Sequence, residues 1–121
     1  MTLNEYQEKA MTTCTDSSMN FAYALTGLNA EVGEINDKVA KAIRKDEAVI
    51  ASNELMVRCS ESLEARKLTA GILAELGDVL WFVALMCKAA GWTMEEVAQM
   101  NLNKLADRAK RGVIVGDGDN R

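Results

Sequence analysis

The chain has no histidine and no proline, few aromatic residues and only three cysteines. Each shortage excludes something. Without histidine there is no Ser-His-Asp or Cys-His catalytic machinery. Catalytic zinc centres and di-iron bundles, which draw on histidine, lose their usual ligands. Missing proline and scarce β-branched runs point to an all-helical fold. Cys14, Cys59 and Cys87 are odd in number and lack metal-ligand spacing, so they read as reduced thiols of a cytosolic protein. Excess positive charge is also missing: the net charge is -4, which argues against a general nucleic-acid surface. The longest apolar run, Val79 to Cys87, is too short to cross a bilayer. No basic segment leads into an apolar core at the N-terminus, as a secretory signal would require, and no Walker-type phosphate loop occurs. The expectation is a cytoplasmic protein with neither nucleic acid nor membrane as a partner. Its 121 residues fit one domain, expected over 1–111, with a Gly-rich tail over 112–121.

What is present is one short signature, twice: Ala30-Glu31-Val32-Gly33-Glu34-Ile35 and Ala74-Glu75-Leu76-Gly77-Asp78-Val79. Both lie in long apolar-periodic stretches, so both are predicted to be helical. Positions three apart share a helix face, so each helix presents two carboxylates side by side. A glycine inside a helix costs about 1 kcal/mol relative to alanine. Its repetition at one register predicts close approach of backbone or ligand at Gly33 and Gly77. The first pair alone is no more than a solvated helix face carries. The second is different, because from Leu76 to Cys87 only Gly77 and Asp78 are not apolar. A helix apolar all round is buried, and a lone charge there needs a partner or a metal. Four carboxylates brought together repel unless a cation lies among them. The pattern therefore predicts a divalent-metal site built across two helices by Glu31, Glu34, Glu75 and Asp78. An all-carboxylate, histidine-free set favours Mg²⁺, with Mn²⁺ as a substitute.

In chain order, Thr2 and Glu5 form a capping-box pattern. It opens a helix through about Cys14, with Leu3, Tyr6, Ala10 and Met11 as its inner face. Thr15 to Ser18 is a polar break. A second helix follows from about Met19 to Arg44, with the apolar stripe Phe21, Leu25, Leu28, Val32, Ile35 and Val39. Beside that stripe run Gly27, Glu31, Glu34 and Lys38. The stretch from Lys45 to Ser62 is the least readable and is assigned a short helix around Glu47 to Arg58. A third helix is expected from Ser62 to Ala90, stopped by Gly91. Thr93 and Glu96 open a fourth, through about Lys110. On it Asn101, Lys104 and Arg108 share a face. They suit a helix C-terminus as solvated bases, and equally a phosphate clamp. Lys38 is counted with them as a substrate-binding residue. A run as apolar as Val79 to Cys87, with Trp81 and Phe82, exceeds what a small protomer can cover. A homodimer or homotetramer is expected, with the third helix near its two-fold axis.

Glu31-x-x-Glu34, Glu75-x-x-Asp78 and Asn101-x-x-Lys104-Leu105-x-x-Arg108 together resemble the motifs of the MazG-like all-α nucleoside triphosphate pyrophosphohydrolases. The contexts around both acidic pairs are similar too, and so, more loosely, is the opening Tyr6-Gln7 helix. The resemblance spans about residues 3 to 111. The Gly-rich tail is similar to that of small phage-borne members. The resemblance implies an antiparallel four- to five-helix bundle and hydrolysis of nucleoside triphosphates to monophosphate and pyrophosphate. It further implies Mg²⁺ held by Glu31, Glu34, Glu75 and Asp78, and assembly as a dimer or dimer of dimers. One carboxylate free of metal would serve as general base. Glu34 is assigned that role with Glu31 beside it, although the sequence does not separate it from its neighbours. The connection between the acidic motifs is longer than in compact members, and that region can shape the base pocket. The competing reading from another class is a non-catalytic nucleotide-binding or regulatory helical oligomer.

Overall fold

The computed structural model describes residues 1–118. Helix α1 (Leu3–Met11) is followed by a 3-10 turn (Asp16–Ser18) and helix α2 (Phe21–Arg44). Strands β1 (Ala48–Ala51) and β2 (Glu54–Val57) come next, then helices α3 (Leu63–Ala90) and α4 (Met94–Arg111). The local signals act as expected at most helix ends. Thr2 accepts from Glu5 N at 3.1 Å while Glu5 accepts from Thr2 N at 2.7 Å, closing a capping box. Thr93 and Glu96 repeat it at the start of α4. Each such cap contributes about 0.5–2 kcal/mol. Gly91, at φ 76, supplies the left-handed turn that ends α3.

The fold is predominantly helical but not purely so. The helix expected around Glu47 to Arg58 is an antiparallel β-hairpin, pairing Ala48 with Val57 and Ala51 with Glu54. Its two-residue loop, Ser52 and Asn53, has positive φ at both positions (52 and 66), the turn whose twist matches paired strands. Val49, Ile50 and Val57 favour strands. Asp46, also at positive φ, breaks the chain away from α2, and Arg58 N donates to Glu47 O at 2.9 Å to close the hairpin base. Helix α1 likewise stops at Met11 and does not reach Cys14.

Helices α2 and α3 run antiparallel, as their meeting points show. Phe82 of α3 packs against Tyr23 with ring centroids 5.5 Å apart and lies over Gly27, where a Cβ would collide with its ring. Further along, Lys38 reaches both Gly71 and Glu75. The face of α2 turned to α3 therefore sets the small residues Ala24, Gly27 and Ala42 in line with Glu31 and Lys38. The heptad stripe expected inside is turned partly outward, with Phe21, Leu25 and Val32 exposed. Small residues win this face because they let the two backbones approach.

Helices α1 and α4 close one end. Gln7, buried among apolar residues, donates to Trp92 O at 3.0 Å and accepts from Met94 N at 2.9 Å, fixing the α3–α4 turn. Trp81, expected near an intersubunit axis, is held inside its own protomer. Its indole donates to Ala10 O and Thr13 Oγ1, and it meets Phe82 edge-on at 5.0 Å. The core is Met11, Ala24, Phe82, Ala84, Leu85, Cys87 and Met94.

Much apolar surface stays outside. Leu73 (70% exposed), Leu76 and Leu80 line the side of α3 turned away from α2, with Gly77 between them. Measured as a whole helix, α3 is long and apolar enough to cross a membrane by length and composition alone, although its uninterrupted run is not. Its carboxylates, however, sit midway along it and face another helix of the same chain.

Candidate metal centre

Three of the four predicted carboxylates converge. Glu31 on α2 and Glu75 and Asp78 on α3 place one oxygen each within 4.8 Å of one another. The antiparallel pairing dictates this. With Phe82 over Gly27 and Gly71 under Lys38, the middle of α3 must lie opposite Glu31. Glu34, one turn further along α2, is exposed and outside the triad. Its charge still reaches Glu31. The Glu31 carboxyl is pushed above its usual range by burial first, then by Asp78, Glu75 with its shared hydrogen bond, and Glu34. These are carboxylates held against their own repulsion, in which a cation would offset the cost. With only hard oxygen ligands, the set fits Mg²⁺ or Mn²⁺.

Asp78 is exposed within the protomer, contrary to the expectation of a buried acid. Along this stretch Leu76, Gly77 and Leu80 are exposed as well, so the apolar residues around Asp78 do not enclose it. Tyr6 borders it from α1, its phenol pushed up by burial and by the Asp78 charge.

Lys38 is joined to the cluster, its Nζ 2.9 Å from Glu75 Oε1. The hydrogen bond to Glu75 is the main cause of its raised pKa, with Glu34 and Asp37 adding. Gly71 makes room for this reach, since a Cβ there would stand 3.1 Å from Lys38 Cδ. The close approach predicted at Gly33 and Gly77 falls instead on Gly27 and Gly71. Nothing lies within 4 Å of a Cβ built at Gly33 or Gly77.

The residues predicted on the fourth helix are not gathered at the carboxylates. Asn101 and Lys104 are exposed on α4, and among the described residues no hydrogen bond or ion pair links either to the cluster. Arg108 is buried near the C-terminal end of α4. Gly112, at φ 69, caps that helix, and the last three positions of the predicted tail lie outside the described residues. Sequence reasoning overlooked Lys41, Lys45 and Lys67. With Lys38 they line an open cavity of about 410 Å³ between the C-terminal part of α2 and the N-terminal half of α3. The spacing of Lys38, Lys41 and Lys45, three and four apart, was the available signal.

Comparison with known proteins gives a family. The family model described as the MazG nucleotide pyrophosphohydrolase domain matches residues 20–113. The chain is similar to the Gene 37 protein of Mycobacterium phage L5, with 40% identity over 106 residues, covering 88% of this chain and 81% of that protein. No solved structure gives a significant match.

Proposed function

The chain belongs to the MazG nucleotide pyrophosphohydrolase domain family, and from that premise we propose that it hydrolyses nucleoside triphosphates, deoxynucleotides included, to monophosphate and pyrophosphate. The observation that carries this reading is the triad of Glu31, Glu75 and Asp78 across two helices of a chain without histidine. In the reaction a water oxygen bonds to the α-phosphorus and the bond from that phosphorus to the α–β bridging oxygen breaks. The bridging oxygen keeps the electron pair and leaves with pyrophosphate. Divalent metal, Mg²⁺ with Mn²⁺ as substitute, supplies charge neutralisation and activation of water. Glu31, Glu75 and Asp78 would hold it, with Glu34 beside them. Glu34, outside the triad, would take the proton from water, with Glu31 beside it. The setting we propose is the cytoplasmic nucleotide pool.

We also propose a symmetric homodimer, able to pair into a tetramer. Leu73, Leu76 and Leu80 form an apolar stripe on the side of α3 opposite Glu75 and Asp78, and their exposure supports this reading. Two α2–α3 pairs joined there would make an antiparallel four-helix bundle. Asn101, Lys104 or Arg108 of one protomer would then have a route to its partner's site.

Incubation of the protein with a panel of ribo- and deoxynucleoside triphosphates and Mg²⁺ tests the activity. Monophosphate and pyrophosphate should form, and the reaction should stop in excess EDTA. Diphosphate and orthophosphate as first products, or undiminished turnover in EDTA, would contradict it.

A further inference from the structure

Four of the eight lysines of this acidic chain line one cavity. Lys38 and Lys41 come from successive turns of α2, Lys45 follows as its C-cap, and Lys67 lines the cavity from α3. Glu47 and Glu64 also line it, so the lining keeps an excess of positive charge. Lys41 is paired with Asp37 on its own helix. Lysines this close repel one another unless an anion or acid sits between them. At about 410 Å³ the cavity falls within the size range of small-molecule sites.

The cavity is contiguous with the carboxylate cluster. Lys38 and Gly71 line it, and Lys38 Nζ bonds Glu75 at the same time. A chain of phosphates lying on the carboxylates therefore has one cationic continuation, toward the hairpin end of the α2–α3 pair. The opposite direction runs to Gly27, the exposed ring of Tyr23 and the buried Phe82 behind it, with no lysine among them.

We propose that this lysine-lined cavity is a subsite for the β- and γ-phosphates, and holds pyrophosphate after cleavage. The proposal rests on the pyrophosphohydrolase reading and gives the substrate a direction. The terminal phosphates lie toward Lys45 and Lys67, and the nucleoside lies toward Tyr23 and Phe82. Lysine suits this task as a mobile point charge able to follow a leaving diphosphate.

The test is calorimetric titration of inorganic pyrophosphate, and separately of orthophosphate, into the Mg²⁺-loaded protein. The variants are the double substitution Lys45→Gln with Lys67→Gln, and Lys110→Gln on α4 as a charge control. All three positions are exposed, and circular dichroism reports whether each variant keeps its fold. The double variant should bind pyrophosphate about tenfold or more weakly, the loss expected when charge-assisted bonds to phosphate are removed. Its Mn²⁺ affinity should stay within about twofold of the parent, because the carboxylates are untouched. Orthophosphate, which does not span the cavity, should change less than pyrophosphate. Pyrophosphate binding equal to the parent's in the double variant would overturn the subsite, and so would an equal loss in Lys110→Gln. Failure of the parent to bind pyrophosphate would overturn it too. Monophosphate release by the parent, measured separately, decides whether the proposed activity stands in any of these cases.

Discussion

The two sides of α3 are built on different rules. The side toward α2 is specific: a glycine under an aromatic ring, a glycine under a lysine stem, and carboxylates aligned by those two fixed points. The side away from α2 is generic: three exposed leucines around a glycine whose added Cβ would meet open space. Large polar costs, such as gathered carboxylates, are confined to the side where geometry is over-determined. The other side offers shape and apolar area alone, which is what the proposed dimer would use. On the function and assembly proposed above, one face of the chain would serve the chemistry and the other the contact between protomers.

Substitutions on the two faces should separate these roles. Asp78→Asn, on the first face, should cut triphosphate hydrolysis on the order of a hundredfold while circular dichroism stays unchanged, as removal of one charge-stabilising group does elsewhere. A variant with near-parental activity would break the comparison at its strongest point. Phe82→Ala, beneath the same face, should cost about 3–5 kcal/mol in chemical denaturation, the range for emptying a core aromatic site. Leu76→Glu together with Leu80→Glu, on the other face, should leave the protomer helical but shift light scattering to the monomer mass. A parent already monomeric by that measurement would remove the assembly half of the comparison.

Glycines sharpen it further. Gly27→Ala should lose about 1–3 kcal/mol by overpacking against Phe82. Gly33→Ala, with open space around it, should gain about 0.5–1 kcal/mol from helix propensity. The smallest effect concerns pH. Glu31 has a raised pKa in the folded chain, so its contribution to stability is fully present below the ordinary value of 4.5 and is lost as pH rises through the folded value. Thermal melts of the metal-free protein should therefore show lower stability at neutral pH than in mild acid as far as this group is concerned. Glu31→Gln should flatten that slope.

Helix ends and the acidic signature were legible because their signals are local. Thr2, Ser62, Gly91 and Thr93 act through neighbours within a few residues. The repeated acidic pair placed Glu31, Glu75 and Asp78 on helix faces without any knowledge of packing. The hairpin was missed because its turn is Ser52-Asn53, without the glycine that usually marks such a loop, and because its strands are only four residues each. The inner face of α2 was misread because large apolar residues drew attention over the alanines and glycine that in fact permit contact. Burial of Asp78 was overestimated because composition reports how apolar a helix is and not how many neighbours its own chain provides. The lysine cavity needs both ends of a long connection folded together, and no single window of sequence contains it.

The central claim is that Glu31, Glu75 and Asp78 form a divalent-metal seat across α2 and α3. Calorimetric titration of Mn²⁺ into the chelator-stripped protein, beside folded Glu75→Gln and Asp78→Asn variants, tests it most directly. The account predicts saturable binding by the parent and binding weakened about tenfold or more in each variant. Equal Mn²⁺ binding by all three proteins, or no binding by the parent, would contradict it.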